Sequence, residues 1–210
     1  MAERTAGHRL GLALTVAGVV AVLVGGFATY DASRGASPVG EPAVSASASP
    51  ELGTTALPSL APVRPGDPLR VRIPALGVVA RVLPVHAPAG TLVPPSDPAE
   101  LGWWADGARP GSGRGAVLIA GHTVHNGAGA LNALGAIPPG ALIVLRTNDG
   151  EVLRYQVHRV ETFAKGTIAA KAARLFAQTG PERLVLVTCA DWNGTRYLSN
   201  AVVIAVPWGR

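Results

Sequence analysis

From residue 69 onward the chain is a succession of short runs rich in β-branched residues, separated by Gly and Pro. They are LRVRIP from Leu69, VVARVLPV from Val78, AVLIA from Ala116, ALIVLRT from Ala141, EVLRYQVHRVE from Glu151, LVLVT from Leu184 and AVVIAV from Ala201. Runs of this length and composition are strand signals. Asn148-Asp149-Gly150 reads as a tight turn between the fourth run and the fifth. The spacing predicts an all-β barrel or sandwich rather than alternating β and α units. Residues 128–134 and 168–177 are expected to form short helices or helical turns, too short to change the class. No internal repeat is visible.

The residues before this pattern belong to other environments. Residues 11–30 (GLALTVAGVVAVLVGGFATY) contain no charge and follow Arg4 and Arg9. As a helix they would extend about 30 Å, the thickness of one hydrocarbon core. With the basic residues held inside, residues 1–10 form a cytoplasmic tail and everything after Tyr30 lies outside the cell. A cleaved secretory signal is the rival reading, but the apolar stretch is longer than the usual signal core of about 7–15 residues. Either way the remainder is exported. Residues 31–65 then turn to Ala, Ser, Pro and Gly, with SASASP at 45–50. That composition cannot build a core and reads as a linker. The expected catalytic domain spans residues 66–210.

Charge narrows the partners. The net charge is +5, and the excess lies from Gly66 onward. The arginines there are scattered singly through apolar runs, with no basic block and no interleaved aromatics, so nucleic acid is not an expected partner. A basic surface facing acidic wall polymers or lipid head groups accounts for the charge.

An exported domain normally uses cysteines in pairs, yet Cys189 is the only one in 210 residues. It is an inert buried side chain, a partner in an intermolecular bond, or a working thiol. Composition alone favours the inert reading, since free cysteine is among the most buried residue types, but its setting also fits a working thiol. LVLVT precedes it and the polar Asp191-Trp192-Asn193-Gly194 follows closely, which places the thiol at a strand end opening onto a loop. A rigid sheet can fix a nucleophile there while substrate reaches it. His122 has the same context, since AVLIA ends in Gly121-His122-Thr123. His158 is expected to face solvent from a strand and His86 to sit in an exposed loop. His125 is close enough to His122 to be a substitute or a second metal ligand, but no carboxylate or second cysteine completes a zinc spacing, so no metal is expected.

AGHT at Ala120, VTCAD at Val187, RVRIPALGV at Arg70 and GWWADGARPGSGRGAVLIAGH at Gly102 together resemble the sortase family, in particular actinobacterial class F, with class E next. The similarity covers about Leu69 to Trp208. It implies an eight-stranded β-barrel with short helices, preceded here by one transmembrane helix. It also implies a cysteine transpeptidase acting on LPXTG-like sorting signals between Thr and Gly. Cys189 forms a thioacyl-enzyme, His122 transfers protons, and a peptidoglycan amine resolves the intermediate, with no cofactor. The family places an Arg on the strand after the cysteine. Here Asn200 occupies that slot and Arg196 lies four residues earlier. Regular pleating would aim residues 196, 198 and 200 the same way, so Arg196 is the expected charged donor, with Thr188 and Asn200 contacting substrate. If Asn193-Gly194 is a turn, Arg196 leaves the pleat for solvent. Two rivals remain: a non-enzymatic exported β-domain with Cys189 buried, and a pilin-polymerising sortase. The latter usually carries a lid and a second membrane segment, neither of which is evident.

Overall fold

The computed structural model describes residues 57–64 and 66–209. The expected tail, the anchor at 11–30 and most of the linker therefore lie outside the described residues. Among the described residues no helix is long and apolar enough to cross a membrane.

The strands are β1 (Ser59–Leu60), β2 (Pro68–Ile73), β3 (Val78–His86), β4 (Glu100–Trp104), β5 (Ala116–Gly121), β6 (Leu142–Thr147), β7 (Val152–Ala164), β8 (Arg183–Trp192) and β9 (Tyr197–Pro207), with one α-helix, α1 (Thr167–Leu175). They join in the order β1-β3-β2-β6-β7-β9-β8-β5-β4, and a parallel pairing of β3 with β4 closes the circle. Eight strands thus form a barrel, with the two-residue β1 added against the end of β3.

A barrel of this size has an interior that side chains can fill. Alternate residues of each strand do so, among them Ile73, Trp103, Ile119, Leu145, Tyr155, Leu186 and Val203. The opposite faces of β5, β8 and β9 are apolar too. Leu118, Ala120, Val185, Val187, Cys189 and Val202 point outward and are covered by α1 through Ile168, Ala172 and Leu175. Those three helix residues fall on one face at a spacing near 3.6. β8 is consequently buried on both sides, which explains its unbroken apolar run.

Three expectations are revised or narrowed. β4 is an additional strand. Leu101, Gly102 and Trp103 are all buried, so the segment shows no polar alternation, and its glycine sits where a Cβ would come within 3.1 Å of Pro95 and Val85. Residues 128–134 take the helical-turn form of the expectation and not the α-helical one, with backbone bonds from Asn132 to Gly129 and from Leu134 to Leu131. Asn132 ties the loop together through bonds to the backbone of Val124 and Gly127, and only a short 3-10 turn at Leu134–Ala136 follows. A side-chain amide that competes for backbone groups disfavours helix. Third, β8 does not end before Cys189 but continues to Trp192, so the thiol lies within the strand.

Candidate active site

Strand register brings the candidate residues into one row. Cys189 of β8 pairs with Asn200 of β9, and Asn200 pairs with Phe163 of β7. On the other side β8 runs parallel to β5, with Ala120 opposite Val187 as the last regular pair. Two residues further along each chain stand His122 and Cys189. Side chains at such matched positions share a face of the sheet, and neighbouring strands are about 4.8 Å apart. The outward face is the one that carries Cys189, since Val187 and Ala120 point that way.

Local chemistry fixes the backbone around this row. The Thr123 hydroxyl donates to the Cys189 carbonyl at 2.6 Å and lies 2.6 Å from the Thr188 hydroxyl, which is itself 2.9 Å from the Gly121 carbonyl. The end of β5 is thereby stapled to β8 just past the last ladder bond. Gly129 packs behind His122, where any Cβ would come within 2.8 Å of the His122 carbonyl. His122 is 8% exposed. Burial lowers its pKa, while hydrogen bonds to the backbone of Pro94 and Pro95 oppose that shift. Proline has no N–H, so those bonds run from the imidazole N–H to carbonyl oxygens and fix the ring.

Cys189 is 2% exposed. Burial pushes its thiol pKa up, and Lys165, whose Nζ lies 3.0 Å from Sγ, pulls it back. Burial thus disfavours the charged form of both groups, and Lys165 offsets part of that for the thiol. Cys189 is among the residues lining an open cavity of about 390 Å³, with Thr123, His125, Asp191, Trp192 and Tyr197. His125 stacks on Trp192 there, with ring centroids 4.7 Å apart.

The fold and the site have counterparts. A family model described as a sortase domain matches residues 71–208. The chain belongs to the sortase family. It is a cysteine transpeptidase, and the family's substrates are the sorting signals of surface proteins. Among solved structures, sortase A of Corynebacterium diphtheriae, a lid mutant, is 18% identical with a TM-score of 0.54, over 71% of this chain and 73% of that one. Sortase C of Streptococcus pneumoniae is 18% identical with a TM-score of 0.54, over 69% and 68% respectively. Sortase C-1 of Actinomyces oris is 16% identical with a TM-score of 0.53, over 67% and 73%. At these identities the likeness is one of fold. Comparison with curated proteins gave no match.

In this sortase the remaining candidates separate. Asn200 is fully buried opposite Cys189, with its side-chain N–H donating to the Thr188 carbonyl at 3.3 Å. Thr188 is buried and its hydroxyl faces Thr123 and Gly121, so it braces the two strands. Arg196 is elsewhere. β9 begins at Tyr197, one residue too late for the pleat to orient Arg196, which sits exposed in a turn closed by Asn193. The expected alternation therefore does not reach it.

His158 is exposed on β7, and His86, at the end of β3, pairs with Asp106 at 2.9 Å. Among the described residues no group of three or more His, Cys, Asp or Glu is placed to hold a metal ion. The sequence reading missed Lys165 and the Pro94 and Pro95 carbonyls. Pro-Pro, with two carbonyls and no N–H, is the one local signal that pointed to free acceptors.

Proposed function

We propose that this sortase cleaves an LPXTG-like signal between Thr and Gly and transfers the acyl group to a peptidoglycan amine, with Cys189 as nucleophile and His122 as proton carrier. The observation that carries this reading is the parallel register of β5 and β8, which sets His122, the residue just after β5, at the position matching Cys189 of β8. In the first step the Cys189 thiol gives up its proton and the His122 imidazole takes one up; Sγ then bonds to the Thr carbonyl carbon and the C–N bond breaks, while the imidazolium gives that proton to the departing Gly amine. In the second, the incoming amine bonds to the same carbon, the C–S bond breaks, and the imidazole takes up the amine's proton. Asn200 and Thr188 are assigned to the substrate side of this centre.

The motifs AGHT and VTCAD, with the WW and PG elements upstream, support placement in class F. The charge-free segment at 11–30 supports a single-pass anchor with the catalytic domain outside. Mass spectrometry of the domain incubated with an LPXTG-type peptide tests the chemistry. An acyl adduct on Cys189, released by an added amine, is the expected result. An unmodified thiol that also resists alkylation in the folded protein would return the chain to a binding role. Preference for a pilin lysine as the acceptor would make it a polymerising sortase.

A further inference from the structure

A thioacyl-forming site needs positive charge near the sulfur, and the strand slot opposite Cys189 holds the uncharged Asn200. Arg196 faces solvent from its turn. The charge at the thiol comes from another element. β7 ends at Ala164, and the next residue, Lys165, extends the ladder by donating its backbone N–H to the Leu198 carbonyl at 2.8 Å. By strand alternation Lys165 shares the outward face with Phe163, the residue paired with Asn200. Its flexible stem crosses β9, a reach of two strand spacings or about 10 Å between backbones, and brings Nζ to 3.0 Å from Sγ.

We propose that Lys165 is a catalytic residue of this sortase, the cation that stabilises the thiolate form of Cys189 when it attacks and stands in for a guanidinium on β9. This rests on Cys189 being the nucleophile. Next to a neutral thiol, an ammonium gains only a weak hydrogen bond; next to the thiolate, it gains a charge-assisted one. The contact thus favours ionisation, in which the thiol loses its proton to solvent and the sulfur keeps the electron pair for attack. Lys165 is exposed, so its ammonium retains much of its hydration while reaching the sulfur. Its position also bears on how a thiol only 2% exposed remains usable, because burial raises the thiol pKa and the ammonium opposes that rise. Other titratable groups near the sulfur include Tyr197 from β9 and, lining the same cavity as Cys189, His125 from the loop after β5 and Asp191 of β8, while strand register sets His122 at the matching position after β5. Of these, Asp191 is engaged by the Ser199 hydroxyl.

The test is the pH dependence of Cys189 alkylation by iodoacetamide in the folded domain, without substrate, in the wild type and in Lys165→Met, Lys165→Gln and Lys165→Arg. Loss of an opposite charge at this distance moves a thiol midpoint by about one to three pH units. The Met and Gln variants should therefore move upward and react at least about tenfold more slowly at a fixed pH below the midpoint, and Arg should recover most of the loss. Midpoints that stay within a few tenths of a pH unit in both neutral variants, with melting temperatures unchanged, overturn the proposal. A neutral variant that does not fold is replaced by the other, since the backbone bond to Leu198 does not involve the side chain. Transpeptidation of a sorting peptide is measured separately. If the alkylation midpoint moves as expected but the wild type forms no acyl adduct, the nucleophile assignment falls and the hold of Lys165 on the thiolate stands.

Discussion

Asn200 lies directly across the β8–β9 ladder from Cys189, fully buried, with its side-chain amide donating to the carbonyl of the residue before the thiol. Its oxygen has no hydrogen-bond partner among the described residues. Asn200→Ala removes a donor beside the reacting centre and should lower kcat about a hundredfold, the scale of losing one oxyanion donor. Arg196→Ala, in its exposed turn, should stay within about twofold, as surface changes away from a site usually do. Steady-state kinetics on a sorting-signal peptide make the comparison. A crippled Arg196→Ala with a silent Asn200→Ala would mean that the turn reorganises when substrate binds.

His122 and His125 differ in how they are held. The ring of His122 is fixed by the Pro94 and Pro95 carbonyls behind a stapled strand end, whereas His125 stacks on Trp192 at the cavity wall. His122→Ala should lose about a hundredfold or more in kcat, the lower range for general acid and base catalysis. His125→Ala should mainly raise KM. The reverse ranking, read from the same peptide assay, would move the proton carrier into the cavity.

Cys189→Ala should abolish acyl-enzyme formation and transpeptidation while leaving the barrel folded. The side chain removed is small, and its neighbours in the row are anchored by their own ladders. Retained turnover with an unchanged circular dichroism spectrum would exclude this thiol as the nucleophile.

Stability should fall toward both ends of the pH range for reasons tied to the same pair. His122 has a lowered pKa in the folded state, so the unfolded chain binds its proton more readily. Stability is then full above the ordinary histidine value, about 6.5, and declines as pH falls through the folded one. Cys189 has a raised pKa, so its contribution is full below the ordinary cysteine value, about 8.5, and is lost as pH rises. Melting temperatures measured across pH should show both limbs. Cys189→Ala should remove the thiol's part of the alkaline decline and leave the acid decline in place.

The sequence made much of this legible because strand faces repeat at a period of two. The runs at Val117, Leu145, Val185 and Val203 lie within observed strands, and the two ends of the parallel β5–β8 pair were marked by His122 and Cys189. β4 escaped because Gly102, a poor strand former, sits among residues buried on both faces. Arg196 was misaimed because strand alternation was extended one residue past the point where Asn193 closes its turn. Lys165 could not have been found from its local pattern. Its relation to Cys189 depends on β9 lying between β7 and β8, a matter of strand order that a linear reading does not contain.

The row Phe163, Asn200, Cys189, His122 also makes reactivity a late product of folding. Phe163, Asn200 and Cys189 come from three strands and His122 from just after a fourth, and the Thr123–Cys189 bond joins positions 66 residues apart. Contacts of such long range form only after the intervening chain has given up its freedom. Until β5 and β8 lie side by side, the thiol lacks the neighbours that bury it, and His122 lacks the staple that sets its position. Closure of the barrel therefore acts as the activating event, and a partly folded copy carries only an ordinary cysteine.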